Sequence, residues 1–344
     1  MAADTTITPT PTAARSKLGI VIHSYGKRWH GKYSSVNYPP FLNALDVLDH
    51  VQSLGVAGLQ TLVHDWTPEF AAKVRATIEG YGLYLEGSLS LPNDSADLGR
   101  FERDLRNARE AGATVFRSAM GGRRYEVFRH ISEFQRYKET AWRSMQLAEP
   151  IARRLDVRIG IENHKDFQAA ELAEMLLKLS SPHIGSCIDT GNSIALLEDP
   201  TEVVKTLAPF VVTTHIKDMA VQEYSDGFLL SEVPLGQGRL NIAQMQEICT
   251  KFNPSVTWNL EMITRDPLEI PCLTQGYWAT FPDRPATDLA RMLAWVRSGI
   301  APALPQVKTK STEATLAFEE ANIVACMKAW GSHKSTDSAT EAEQ

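Results

Sequence analysis

Eight short apolar runs recur along this chain, and each gives way to a longer stretch of helical periodicity. The runs are Leu18–Ser24, Gly58–Val63, Tyr84–Leu91, Thr114–Ala119, Arg158–Asn163, Ile184–Asp189, Val211–Lys217 and Val256–Met262. The stretches between them are Phe41–Leu54, Pro68–Tyr81, Leu98–Ala111, Ser132–Arg154, Ala169–Leu179, Pro200–Ala208, Ile242–Phe252 and Thr287–Ser298. Near-continuous apolar strands are buried on both faces, which is the condition of a parallel sheet covered by crossover helices. Gly55, Gly82 and Gly112 stand where helices end before the next strand, as left-handed caps require. A doubly wound open sheet would also alternate. It has fewer units, however, and no glycine-rich dinucleotide fingerprint follows the first strand. The reading is an α/β chain forming a (β/α)8 TIM barrel with an extra C-terminal helix.

The 344 residues divide into a leader over 1–16, a barrel over 17–300, a helical extension over 301–331 and a polar, acidic tail over 332–344. Both ends are expected to be disordered. The Thr/Pro/Ala-rich leader lacks the apolar core of a secretion signal, and no run is long enough to span a membrane. Four cysteines, none in a CxxC pair, fit a reducing compartment, so a cytoplasmic protein is expected. Cys187 reads as a small core residue. A net charge of −6 gives no electrostatic reason to expect nucleic acid or an anionic membrane as partner. The stretch Thr312–Trp330 reads as a helix with apolar positions to dock, on this barrel or on another subunit. A homo-oligomer is therefore open.

Apolar barrel strands make an ionisable residue at a strand's C-terminal end informative. Four consecutive strands carry one: RIGIENH ends in Glu162, IGSCIDTGN in Asp189, VVTTHIKD in His215 and VTWNLEMI in Glu261. Active sites of such barrels form at that end. A lone residue of this kind reads as a buried acid or histidine satisfied by a neighbour. Four on adjacent strands read as a site for one divalent metal ion. Three carboxylates and an imidazole suit manganese first, with magnesium, cobalt or zinc as alternatives.

Side chains two apart on a strand share a face. His164 therefore accompanies Glu162, as an acid–base group or as an orienter of a ligand. Lys217 accompanies His215, either to stabilise charge developing on a substrate oxygen or to pair with a carboxylate. Glu86 and Arg117 interrupt apolar runs. They are expected to pair with each other, with substrate contact as the alternative. His23 and His64 end strands one and two and are candidate pocket residues. Trp29, Trp278 and Phe281 stand on long loops after strands, as an apolar wall for a sugar ring or as packing. Those loops, Lys27–Pro40 and Thr264–Pro285, and a third, Met219–Leu240, all follow strands. The glycine-rich PLGQG could offer backbone N–H groups to a phosphate; a tight turn is the favoured reading, so a non-phosphorylated substrate is expected.

Taken together, IENH (Ile161–His164), IDTGN (Ile188–Asn192), HIKD (His215–Asp218), PLGQG (Pro234–Gly238) and NLEM (Asn259–Met262) resemble the xylose isomerase-like barrel superfamily. Its members include ketose 3-epimerases, hydroxypyruvate isomerase, inosose dehydratase and endonuclease IV-type repair enzymes. The resemblance covers about Leu18 to Ile300 and implies a metal held by Glu162, Asp189, His215 and Glu261. It also implies that Glu162 and Glu261 exchange protons with a substrate whose α-C–H is acidified next to a carbonyl, giving isomerisation or epimerisation through an enediolate. Ketose 3-epimerases carry a histidine where Asn192 stands, leaving Asn192 a candidate substrate contact, and an arginine where Val221 stands. The histidine that a three-zinc endonuclease cluster needs after the aspartate is absent, which excludes DNA repair. A small carbohydrate is the implied partner. The alternatives are a lyase on a 3-keto sugar, keto-glycoside or inosose, with His164 and Lys217 supplying a second acid, and a non-catalytic sugar-binding barrel.

Overall fold

The computed structural model describes residues 18–299 and 303–337. The leader over 1–16 and the end of the tail lie outside the described residues. In chain order the strands are β1 (Leu18–Val21), β2 (Gly58–Leu62), β3 (Tyr84–Ser88), β4 (Val115–Ser118), β5 (Arg158–Glu162), β6 (Ile184–Asp189), β7 (Val211–Ile216), β8 (Asp218–Tyr224), β9 (Gly227–Val233), β10 (Trp258–Leu260) and β11 (Leu268–Ile270). β1 to β7 and β10 close into a barrel in the order β1–β10–β7–β6–β5–β4–β3–β2, every pair parallel. The eight apolar runs are these eight strands.

Layers of inward side chains fill a barrel of this kind. Here Tyr84 crosses the interior, its hydroxyl donating to Asn259 Oδ1 at 2.9 Å. It can do so because Gly19 and Gly58 lack side chains. A Cβ at either would fall 2.1–2.3 Å from the Tyr84 ring or hydroxyl. Between β6 and β7 the register shifts: Ser186 faces Val211, while Cys187 faces Thr213. The extra residue on β7 is a bulge, the device that re-aims a side chain without breaking the sheet. After it, Asp189 and His215 stand in direct register.

The segment Met219–Leu240, expected as a loop, is largely a hairpin. β8 and β9 pair antiparallel, and β11 adds a third strand. Its apolar face makes a second core with Ile194, Leu196, Tyr277, Phe281 and the helix Ala286–Arg297. That helix is the eighth amphipathic stretch of the sequence, yet it packs on the hairpin. The barrel wall beside β10 and β1 is covered by the helix Thr312–Asp337, whose Ile323, Cys326 and Trp330 join the main core. The docking alternative left open by sequence is thus decided for this barrel. Trp330 meets Trp258, Asn322 donates to Thr264 at 2.9 Å, and Glu320 binds Arg28 and His50, each at 3.1 Å. The backbone stays helical through Asp337, beyond the start expected for the tail. No helix among the described residues is long and apolar enough to cross a membrane.

Two outcomes test this docking. Ile323→Ala should cost about 2–5 kcal/mol in urea unfolding, whereas Val36→Ala, at an exposed position, should stay within about 0.5 kcal/mol. Glu319 is buried with Oε1 unpartnered, and burial pushes its acid up to about 7 against the opposing hydrogen bonds from the Lys27 and Arg28 backbone. A raised folded-state pKa means stability is lost as pH rises from about 4.5 to 7. Glu319→Gln should therefore raise the urea midpoint at pH 8 and lose that advantage at pH 4.

Candidate metal centre

Glu162, Asp189, His215 and Glu261 converge at the barrel mouth, one ligand atom from each lying within 4.8 Å of all the others. All four are at least 97% buried. His215 Nδ1 stands 3.6 Å from Glu162 Oε1, 3.5 Å from Glu261 Oε1 and 4.0 Å from Asp189 Oδ2. It has no hydrogen-bond partner.

Neighbours orient each group. Asp189 Oδ1 accepts the backbone N–H groups of Gly191 and Asn192, both at 2.8 Å, an Asx turn that leaves Oδ2 facing the centre. Asn163 ties this turn to β5, accepting from Asp189 N at 2.8 Å and donating to Asp189 O at 2.9 Å. Glu162 accepts Asn192 Nδ2 at 2.9 Å on one oxygen and Arg117 Nε at 2.6 Å on the other. Glu261 meets His23 Nδ1 at 2.9 Å through Oε1 and Lys217 through Oε2. Lys217 also lies 2.8 Å from Asp189 Oδ2.

The His215 tautomer follows from a chain reaching into the barrel. Glu86 is acceptor-only when ionised. Its carboxylate takes Gln60 Nε2 at 2.9 Å, Thr213 at 2.8 Å, Asn259 at 3.1 Å and the Thr257 hydroxyl. Gln60 must then present Oε1 to His215 Nε2, 2.7 Å away. Neutral His215 donates from Nε2 and leaves the Nδ1 lone pair facing the space between the three carboxylates, where a cation or a proton can take it up. An orphaned imidazole nitrogen within reach of three buried carboxylate oxygens fits a divalent cation with mixed O/N ligands.

Burial disfavours charge on the acids. For Glu162 the Arg117 and His215 fields overcome it, and for Glu261 those of Lys217 and His215 do; both carboxyls are held well below their usual range. Asp189 stays raised, its burial outweighing Lys217. His215 is raised despite burial by Cys187, Glu261 and Glu162. Cys187 is a buried thiol beside it, pushed by burial up to about 11, in keeping with a small core residue.

Other expected site residues divide. His23, Arg117, Asn192 and Lys217 touch the centre. The expected Glu86–Arg117 pair does not form: Arg117 binds Glu162, and Glu86 is served by the neutral donors Gln60, Thr213, Thr257 and Asn259. His164 lies within the field of Glu162, and its buried Nδ1 has no partner. Burial and Lys165 hold it neutral, near 3. Trp29 and His64 line a separate rim cavity of about 460 Å³ with Trp66 and Phe70. Trp278 and Phe281 pack into the second core, Trp278 donating to Cys272 O at 2.9 Å. The Gly236 and Gly238 N–H groups of PLGQG are consumed by Asp218, at 3.0 and 2.9 Å, as the turn reading requires.

Sequence reasoning passed over Gln60, Lys165 and the Glu232–Arg265 pair. Gln60 is polar inside an apolar strand, a signal of the kind used for Glu86. Lys165 lies on a loop, where strand periodicity says nothing.

A family model described as xylose isomerase-like TIM barrel matches residues 48–297. The chain belongs to this family. It is 36% identical over 88 residues to a 3-oxo-isoapionate decarboxylase of Pectobacterium atrosepticum, a match covering 25% of this chain and 32% of that protein. The chain thus spans about a third of that relative. Among solved structures it is similar to a 3-keto-D-glucoside 4-epimerase from E. coli (TM-score 0.52, 15% identity, 82% of this chain and 99% of that one). It is also similar to a D-psicose 3-epimerase from Clostridium cellulolyticum H10 (0.53, 12%, 88% and 98%) and to a family member from Mycobacterium smegmatis in complex with magnesium (0.52, 14%, 81% and 97%). At these identities the structural likeness speaks to the fold.

If the Gln60–Glu86 chain sets the His215 tautomer, Gln60→Leu should weaken metal binding about 10–100-fold in calorimetric titration, while the melting midpoint of the metal-free protein changes little.

Proposed function

We propose that this protein is a metal-dependent enzyme that moves a proton at a carbon beside the carbonyl of a sugar-derived substrate, giving isomerisation or epimerisation. The observation that carries the reading is the pair Glu162 and Glu261. They rise from β5 and from the end of β10, two strands separated by β6 and β7, and flank one buried cation site. Glu162, Asp189, His215 and Glu261 would hold the ion, manganese first among the candidates. Once bound, a divalent ion supplies Lewis-acid polarisation of a carbonyl oxygen, which acidifies the adjacent C–H.

The chain's own residues do the rest. Glu162 and Glu261 are the groups that take and return the proton, and each is kept ionised, as a base must be, by the cation it touches. Arg117 fixes Glu162 through Oε2, leaving rotation about its carboxylate restricted. His23, the more exposed partner of Glu261, stands on the open side and is placed to relay a proton to solvent or substrate oxygen. Burial of the four ligands excludes bulk water from the reacting carbon.

A second reading is a lyase, in which the carbanion expels a β-substituent or is itself formed by loss of CO2; the 88-residue stretch shared with a decarboxylase favours it. His164, neutral and with a free ring nitrogen, is the acid–base group it would use.

The test is hydrogen exchange. Manganese-loaded protein in D2O with ketoses, inososes and 3-keto glucosides should place deuterium beside the carbonyl, as read by NMR. Glu261→Gln should lower the rate about 10²–10⁴-fold with metal content retained. Loss of water, aglycone or CO2 from the product would select the lyase. Metal-loaded protein that binds these sugars yet exchanges no hydrogen would leave a sugar-binding barrel.

A further inference from the structure

Lys165 lies three residues beyond Glu162 on the loop leaving β5, and it is 4% exposed. A buried ammonium ordinarily has a carboxylate partner, because desolvation of an unpaired charge is costly. Among the described residues its Nζ donates to one atom, the neutral amide oxygen Oδ1 of Asn192. The carboxylates whose fields reach it, Asp189 and Glu232, are engaged elsewhere. Asp189 is taken by Lys217 at 2.8 Å and Glu232 by Arg265, whose Nε is at 3.2 Å. Lys217 Nζ reaches the same Asn192 oxygen at 3.5 Å. Two ammonium groups therefore converge on one uncharged acceptor, and Lys165 has two N–H donors unused.

The charge around the mouth sharpens the point. The cations Arg117, Lys217 and Arg265 each meet a carboxylate there, Glu162, Asp189 with Glu261, and Glu232, whereas Lys165 meets none. A divalent ion would engage Glu162, Asp189 and Glu261 and would give Lys165 no partner. The unused donors of Lys165 call for an anionic group on the substrate.

We propose that Lys165, with Lys217 and Asn192, forms a carboxylate subsite, so that the substrate is a keto sugar acid and not a neutral ketose; this rests on reading the metal centre as a keto-sugar site. The glycine-loop N–H groups that would suit a phosphate are occupied by Asp218.

The test is binding first and turnover second. Manganese-loaded protein is titrated calorimetrically with D-gluconate, with D-glucitol as its uncharged counterpart, and with inorganic phosphate. Gluconate should bind more tightly than glucitol or phosphate. Lys165→Met should weaken gluconate about tenfold or more with metal content unchanged, and Lys165→Arg should restore part of the loss. Equal gluconate affinity in wild type and Lys165→Met, or glucitol binding as tightly as gluconate, overturns the subsite. So does phosphate binding more tightly than gluconate. Lys165→Met should retain or raise the melting midpoint, since it removes a buried charge; that separates loss of the subsite from loss of fold. Exchange in D2O distinguishes this proposal from the reading beneath it. Neutral ketoses exchanging as fast as keto acids, with the keto-acid rate the same in wild type and Lys165→Met, would sink the subsite and leave the proton chemistry standing. Lys165-dependent gluconate binding without exchange on any keto acid would do the reverse.

Discussion

Three carboxylates packed into one buried space repel one another and each loses its hydration, so they persist as anions only where positive charge is built in around them. The barrel mouth meets this demand from every side. Arg117 rises from β4 to Glu162, Lys217 follows β7 to bridge Asp189 and Glu261, His23 leaves β1 for Glu261, and His215 sits between all three. The bulge between β6 and β7, the Asx turn after Asp189 and the Gln60–Glu86 chain all serve this one arrangement. Each fixes which atom of a ligand faces the centre and which is occupied by protein.

The contrast with the other buried acids shows how the centre differs from scaffolding. Glu86 is satisfied by four side-chain donors, Gln60, Thr213, Thr257 and Asn259, none of them charged. Asp218 is satisfied by the backbone N–H groups of Met219, Gly236, Gly238 and Leu240, which close the glycine-rich loop onto the end of β7. Both are anchors, each surrounded by neutral donors. Glu162, Asp189 and Glu261 are held by cations that the site shares, and the imidazole nitrogen between them is left without a partner. A buried acid that is fully served by neutral donors organises structure; one held in a shared cationic field is available for chemistry.

Much of this was legible in the residues. A strand's C-terminal residue faces the mouth wherever the chain is a parallel barrel, so an acid or histidine there is informative before any coordinate is known. That is why Glu162, Asp189, His215 and Glu261 could be named together. The rule fails off the strands. Lys165 belongs to a loop whose path is set by packing. Glu86 and Arg117, on adjacent strands, looked like natural partners, but Arg117 meets Glu162 on its other side while Glu86 faces Gln60 and Thr213. Periodicity tells which face a side chain takes, and it does not tell which of two flanking strands that side chain will meet.

The same division holds for the fold. Local pattern alone determined that eight strand–helix units exist, the stretch of chain each occupies, and that the barrel is parallel, because burial on both faces of a strand leaves its mark residue by residue; the strands themselves are shorter than several of the runs, as β10 over Trp258–Leu260 shows. Local pattern could not determine which helix covers which wall. The helices Ala286–Arg297 and Thr312–Asp337 both carry apolar positions, and either would satisfy the barrel by composition. The β8–β9–β11 sheet presents an apolar face that takes the first, so the second closes the wall beside β10 and β1. That choice rests on competition between surfaces far apart in sequence, and only the assembled tertiary structure decides it.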